Sequence, residues 1–239
     1  MQPGPKPTKW KAKLKRWLAE SPLPYSITLD SVNRLARLND WRKQHPNIPY
    51  FASRSGDEIA RDQLYTYLID QIGDQEITYL EFGVYRGDSM RYWTHKHRNP
   101  RSQFFGFDTF EGLPESWGNL MKKGDLSTDG NVPKIDDPRV RFFKGLFQDT
   151  LPSFLVSNSL EGKRLVINND SDLYSSTLFT LCSLHPLIRK GTVIVFDEFS
   201  SILHEFRAAE DYFSTFRRKY EVVAASGQFY DQVAIQLVE

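Results

Sequence analysis

At 239 residues and 27.8 kDa, the chain suits one α/β domain with an N-terminal extension, or at most a domain and a half. Its net charge of +1 carries no nucleic-acid signature, and a single cysteine, Cys182, excludes an intrachain disulfide and a Cys-rich zinc site. No apolar run approaches the ~20 residues of a membrane span and no signal-peptide core opens the chain, so the expectation is a cytoplasmic protein without an integral membrane segment.

Residues 1–50 read as a basic, helical extension and residues 51–239 as the main domain. After Pro3, Pro5 and Pro7 comes the basic segment Lys9 to Glu20, with Trp10, Leu14, Trp17 and Leu18 on one helical face. Such a helix packs its tryptophans on the domain or on a second copy in a homodimer, or associates weakly with an acidic surface. Ser31 to Trp41 reads as a further helix. Asp57 to Ile72 is a stronger one, apolar at Ile59, Leu64, Leu68 and Ile72, with Gly73 as its stop signal.

From Ile77 onward strands and helices alternate. Strand patterns cover Ile77–Val84, Phe104–Asp108, Val140–Lys144, Leu165–Asn168, Thr192–Asp197, Glu221–Ala225 and Val233–Leu237. The middle ones are continuous apolar runs, as in strands covered on both faces. Helical patterns are clearest at Ser175–Ile188 and Leu203–Lys219. The alternation predicts an α/β fold with a doubly wound, mostly parallel sheet of seven strands. Only Ser226 to Gln232 separate the last two, too few for a helical crossover, so they close as an antiparallel hairpin at the sheet edge. Trp117–Asp137 is long for a connection and reads as a lid over a ligand, with a disordered loop as the alternative. Cys182, in an apolar helical pattern, reads as a buried, inert thiol. His95 and His97, two apart on a helix, do not face one ligand and read as surface residues, while His204 stands where it could approach a substrate.

Ligands of open α/β sheets bind beyond the carboxyl ends of the strands. The first strand ends in Glu81-Phe-Gly-Val-Tyr-Arg-Gly-Asp-Ser89, a glycine turn that lets backbone approach a small ligand. A dinucleotide loop needs G-x-G-x-x-G, and here only Gly83 and Gly87 follow a carboxylate. A cationic adenosine ligand without phosphates, S-adenosylmethionine, fits better, with Glu81 balancing its charge. The plainer alternative is a tight turn in which Glu81 caps the next helix or pairs with Arg86. The second strand ends at Asp108, 21 positions after Gly87, the interval at which such folds set a carboxylate on ribose hydroxyls. The third ends at Gly145.

The fourth strand runs into Asp170-Ser-Asp172 and the fifth into Asp197-Glu198. Neighbouring strands lie roughly 4.8 Å apart, so four carboxylates converge beside the crevice, and uncompensated like charge is costly. A divalent cation resolves the conflict, and hard oxygen ligands favour Mg2+, or Mn2+ or Ca2+, over Zn2+. Helix capping is the alternative, as for Asp172 ahead of Ser175. A metal beside a methyl donor points to O-methylation of a hydroxyl that it orients, with a vicinal-diol or catechol-like acceptor favoured and a carboxylate taking the proton.

Four blocks resemble the macrocin O-methyltransferase family: Glu81 to Ser89; Gly106-Phe-Asp-Thr-Phe-Glu-Gly-Leu-Pro-Glu115; Lys144-Gly-Leu-Phe-Gln-Asp-Thr-Leu-Pro152; and Asn168-Asn-Asp-Ser-Asp-Leu-Tyr-Ser-Ser-Thr177 with Asp197-Glu-Phe199. The resemblance implies a Rossmann-like class I methyltransferase fold. It implies an S-adenosylmethionine-dependent, Mg2+-assisted (or Mn2+-assisted) O-methyltransferase acting on a sugar, vicinal-diol or phenol hydroxyl of a small molecule or glycan in natural-product biosynthesis. Asp170, Asp197 and Glu198 would bind the metal and Asp172 would serve as general base. Glu81, Gly83, Asp108 and Gly145 would face the donor, with Val84, Tyr85, Gly87, Ser89, Thr109, Phe110, Leu146 and Asp170 in the same site. The chain departs from the family's His-Ile-Asp-Gly-Asp at Val166-Ile-Asn-Asn-Asp-Ser-Asp172, with Ser171 where glycine is common, and Glu198 replaces an aspartate. These departures motivate a second reading, a non-catalytic methyltransferase-like module that engages a partner through its basic N-terminal helix. A nicotinamide-dependent enzyme is disfavoured by the missing third glycine.

Overall fold

Period-two alternation sorts the strand side chains onto two buried faces, and each face is covered by its own set of helices. The computed structural model describes residues 25–52, 57–118 and 121–239, so the basic segment Lys9 to Glu20 lies outside the described residues. The strands are β1 (Tyr50–Phe51), β2 (Thr78–Phe82), β3 (Gln103–Asp108), β4 (Val140–Lys144), β5 (Leu165–Asn169), β6 (Val193–Phe196), β7 (Tyr220–Ser226) and β8 (Gln232–Leu237). The helices are α1 (Tyr25–Gln44), α2 (Asp57–Ile72), α3 (Asp88–Lys96), α4 (Phe147–Ser157), α5 (Tyr174–Leu184) and α6 (Glu205–Thr215). On one face Leu80, Phe82, Phe105, Phe107, Ile167 and Phe196 pack against Leu151, Phe154, Leu181 and Phe206 of α4, α5 and α6. On the other, Tyr79, Phe104, Val166 and Val195 pack against Leu64, Tyr65 and Leu68 of α2 and Met90 and Trp93 of α3. Every residue of β2, β5 and β6 is buried, which is why these strands read as unbroken apolar runs.

The sheet order is β1-β7-β8-β6-β5-β2-β3-β4. β2, β3 and β4 step outward in one direction, and β5 and β6 step in the other. The order therefore reverses between β2 and β5, and a crevice opens beyond their carboxyl ends. All seven expected strands form. β8 runs antiparallel to both β6 and β7, so the closing hairpin is present, but it does not end the sheet. An eighth strand, β1, pairs parallel with β7 through Tyr50 and Phe51 and occupies the edge. Two residues behind Pro49 carry no readable period, so β1 has no sequence signal. Helix α1 extends beyond the expected Ser31 to Trp41 and docks on the β7 side, with Trp41 Nε1 donating to the Tyr220 hydroxyl at 3.0 Å and Arg37 pairing with Glu210 of α6 at 2.8 Å.

Two minor expectations are corrected. His97 is buried at the end of α3, where a ring nitrogen meets the Ser102 hydroxyl at 2.9 Å, because the chain turns inward there toward β3. Cys182 is exposed; on α5 the inward positions are taken by Leu181 and Leu184, which turns the thiol outward. Among the described residues, no helix is long and apolar enough to cross a membrane.

Candidate active site

The glycine turn and the strand beside it are fastened together by one carboxylate. Asp108, the last residue of β3, accepts from the backbone N–H groups of Val84 and Tyr85 through Oδ2, at 2.8 and 2.7 Å, and from Phe110 N–H through Oδ1 at 2.7 Å. Both turns are tight: Tyr85 and Phe110 lie in the left-handed region at φ 49° and 58°, conformations that such fixed amide contacts must hold. Oδ1, with one backbone donor, keeps a further lone pair, so Asp108 can organise the loop and still accept from a ligand hydroxyl. Gly83, at φ 90°, sits where an added Cβ would come 1.7 Å from the Asp170 carbonyl oxygen. The glycine is required by the close approach of the β5 end to the β2 end, where Asp170 N–H donates to the Phe82 carbonyl at 2.9 Å.

The acids gather on the other side of the switch point. Asp170 follows β5, and Asp197 follows β6 with its N–H on the Asn169 carbonyl at 3.0 Å. Burial pushes the Asp170 carboxyl well above the ordinary range, and repulsion from Asp197 and Asp172 pushes it further. Asp172 is raised to about 7 by burial, then by Asp197 and Asp108. Asp197 is raised by burial and opposed by Arg61. Its Oδ1 is buried with no hydrogen-bond partner. The left-handed position of this turn falls on Asp172, at φ 59°; aspartate tolerates that region, so Ser171 is spared the conformation that glycine would have served.

Two residues of the cluster come from helices and were not expected. Arg61 of α2 faces Asp197 and Asp170 and lines the cavity. Its position one turn before buried Tyr65 was the available signal, a basic residue on the inward face of a helix. Glu205 of α6 is fully buried, and its carboxyl is raised well above the ordinary range by burial. Its Oε2 accepts from Glu198 N–H at 2.9 Å, and its Oε1 meets Asn169 Nδ2 at 3.4 Å. Asn169 Nδ2 also reaches Thr177 Oγ1 at 3.1 Å, which meets Ser171 Oγ at 3.0 Å. This network ties the Asp197-Glu198 turn to the Asp170-Ser-Asp172 turn, so Asn169 serves the scaffold of the acids.

A cavity of about 290 Å³ joins the two halves. Gly83, Tyr85, Asp108, Thr109 and Leu146 line one end, Asp170, Asp172, Asp197 and Glu198 the other. Leu113, Pro114, Trp117, Met121 and Leu126 supply an apolar wall, so the expected lid segment does cover the site. That segment is ordered by bridges pairing Glu111 with Ser127 and Trp117 with Met121. His204 stands behind Trp117, ring centroids 6.2 Å apart, outside the lining. Val84, Gly87, Ser89, Phe110 and Gly145 also lie off the wall.

Glu81 is off the wall too. It shares a sheet face with Tyr79, whose hydroxyl donates to Glu81 Oε2 at 2.8 Å, and it is 1% exposed. Its carboxyl is pushed up to about 8, chiefly by burial, with Tyr79 and Arg61 favouring the charged form and Asp197 and Asp108 opposing it. Between the ordinary 4.5 and about 8, the folded protein holds a proton that the unfolded chain has lost, so this residue's contribution to stability falls as pH rises through that window. Glu81→Gln keeps an acceptor for Tyr79 and removes the penalty. Urea denaturation is expected to show the variant more stable than the wild type by roughly 2–4 kcal/mol at pH 9 and little changed at pH 5. An equal difference at both pH values would refute a buried, titrating Glu81.

The donor set suits a hard divalent ion in its chemistry: only carboxylates, mutually repelling, with the buried Asp197 Oδ1 unpartnered. As placed, however, no group of three or more His, Cys, Asp or Glu among the described residues is gathered tightly enough to hold one. Arg61 already supplies one positive charge there.

The family model of macrocin O-methyltransferase (TylF) matches residues 39–228. The 8-demethyl-8-(2,3-dimethoxy-alpha-L-rhamnosyl)-tetracenomycin-C 4'-O-methyltransferase of Streptomyces olivaceus is 28% identical over 153 residues, 54% of this chain and 57% of that protein. The demethyldecarbamoylnovobiocin O-methyltransferase of Streptomyces niveus is 30% identical over 158 residues, 55% of this chain and 58% of that protein. The chain thus matches a little over half the length of these relatives. A crystal structure of a calicheamicin methyltransferase superposes with a TM-score of 0.60 at 19% identity, covering 99% of this chain and 94% of that one, a likeness of fold. With the glycine turn, the Asp108 clasp and the acid turns all inside the matched span, the chain belongs to the macrocin O-methyltransferase family.

Proposed function

We propose that the protein transfers a methyl group from S-adenosylmethionine to a hydroxyl of a small natural product or its sugar, assisted by Mg2+ or Mn2+. One observation carries this reading. One cavity joins an Asp108-clasped glycine turn to four carboxylates at the strand switch point. The relatives named for sugar-bearing and antibiotic acceptors support the acceptor class.

Asp108, Gly83 and Tyr85 would hold the adenosine end of the donor, and the acid end would face its sulfonium. Asp170, Asp197 and Glu198 would hold the ion, which supplies charge stabilisation for the developing oxyanion and orients the acceptor. Asp172, near neutrality in its affinity for protons, would take the hydroxyl proton as the oxygen's electron pair forms the new bond to the methyl carbon. The donor's carbon–sulfur bond breaks in the same step, which leaves a neutral thioether. The wall from Leu113 to Leu126 would exclude water and hold the reacting atoms in line.

Calorimetry with S-adenosylhomocysteine is expected to show one site of micromolar affinity. Methyl transfer to a rhamnosyl or phenolic acceptor is expected to be EDTA-sensitive and restored by Mg2+. No heat at roughly 500 µM ligand would overturn the donor assignment; EDTA-resistant transfer would overturn the metal's part and leave the transferase reading standing.

A further inference from the structure

We propose that Arg61 is the resident counter-cation of the acid cluster and competes with the divalent ion for Asp170 and Asp197. Among the described residues lining the cavity, Arg61 alone is basic, against Asp108, Asp170, Asp172, Asp197 and Glu198. It projects from α2, whose neighbouring turn is anchored by fully buried Leu64 and Tyr65, and its side chain lines the cavity. A guanidinium stays protonated throughout the working range. Its Nε is buried without a hydrogen-bond partner, as is Asp197 Oδ1. Opposite charges thus share the cavity while each keeps an unmet hydrogen-bonding atom. That is the condition of a counter-ion which neutralises at a distance, and it leaves the carboxylate oxygens open for a tighter cation.

The consequence is a definite sign. An ion of charge +2 entering beside Asp170 and Asp197 is repelled by Arg61, and beside the buried Asp197 that repulsion is screened less than at the surface. Removing the guanidinium therefore strengthens metal binding. Loss of a merely structural arginine would loosen the acids and weaken it.

The inference rests on the metal-assisted reading, and Mn2+ titration followed by electron paramagnetic resonance separates the two. It is run at pH 8 under nitrogen, without donor or acceptor. Arg61→Gln and Arg61→Met are expected to bind Mn2+ at least about tenfold more tightly than the wild type, with the gain shrinking at high salt. Arg61→Lys, which keeps the charge, should stay within roughly threefold of wild type, and Asp197→Asn should abolish binding in either background. Folding of each variant is checked by thermal melting and S-adenosylhomocysteine binding. Unchanged or weaker Mn2+ binding in folded Arg61→Gln and Arg61→Met, beside a wild type that binds, overturns the competition and leaves the metal reading intact. No Mn2+ binding by the wild type or either neutral variant up to roughly 10 mM overturns both.

Discussion

Replacing Asp172 with asparagine is expected to lower kcat by roughly 10²–10⁴-fold, the usual range for loss of a positioned general base, while S-adenosylhomocysteine affinity stays within about threefold. The choice of asparagine follows from the backbone. Asp172 holds φ 59°, and asparagine is among the few residues that accept the left-handed region without much cost. The substitution therefore removes the proton acceptor and little else. It also takes one negative charge from a cluster in which Asp172 raises the Asp170 and Glu205 carboxyls, so the melting temperature should hold or rise. Asp172→Ala is the informative contrast: it should lose activity comparably but also melt lower, since an alanine there costs about 1 kcal/mol in backbone strain. Steady-state kinetics with saturating donor, beside thermal melts, make the check. An Asp172→Asn enzyme with wild-type kcat would remove Asp172 from the chemistry and return it to turn formation.

What could be read in the sequence was what the strands themselves carry. Leu165–Asn169 and Val193–Phe196 are buried on both faces, so their apolar runs announce them, and the polar residues that end the runs must lie at the crevice. That logic located Asp108, Asp170, Asp172, Asp197 and Glu198 without coordinates. It failed for Glu81, since a residue at a strand end is assigned to the mouth only if its pleat direction is known, and Glu81 points with Tyr79 toward α2 and α3. It was silent on Arg61 and Glu205, because side chains that reach a strand tip from covering helices leave no mark on the strand pattern. The short edge strand β1 was illegible for a different reason: its place is fixed by pairing with β7, Tyr50 beside Ala225 and Phe51 beside Ser226, and not by any preference of its own residues. The Asn168-Asn169 departure motivates a non-catalytic reading in the sequence; in the fold, both are buried and hydrogen-bonded, Asn168 to Tyr65 and Asn169 to Thr177 and Glu205.

Among the described glycines, Gly83→Ala is expected to be the most damaging addition of a methyl group, since its Cβ would make the shortest contact. Gly83 and Gly191 have nearly the same φ, 90° and 88°, so alanine at either position incurs a positive-φ penalty of about 1–2 kcal/mol. Their surroundings differ. At Gly191 nothing lies within 4 Å of the new Cβ, whereas at Gly83 it would meet the Asp170 carbonyl oxygen at 1.7 Å and its carbon at 2.7 Å. A backbone carbonyl has no rotamer to escape into, so the end of β5 must move away from the end of β2. That movement strains the Asp170 N–H to Phe82 carbonyl bond and the Gly83 N–H to Phe107 carbonyl bond, at the cavity end of the central strands. Gly83→Ala should therefore lose at least about 3 kcal/mol in urea denaturation, against about 1 kcal/mol for Gly191→Ala. Because Gly83 lines the cavity against the Asp170 backbone, the proposed donor site predicts that the surviving folded fraction binds S-adenosylhomocysteine at least about tenfold more weakly, whereas Gly191→Ala should bind as the wild type does. Equal stability losses for the two variants would mean that the β2 and β5 ends are free to part, and that the two halves of the site are not held together by this contact.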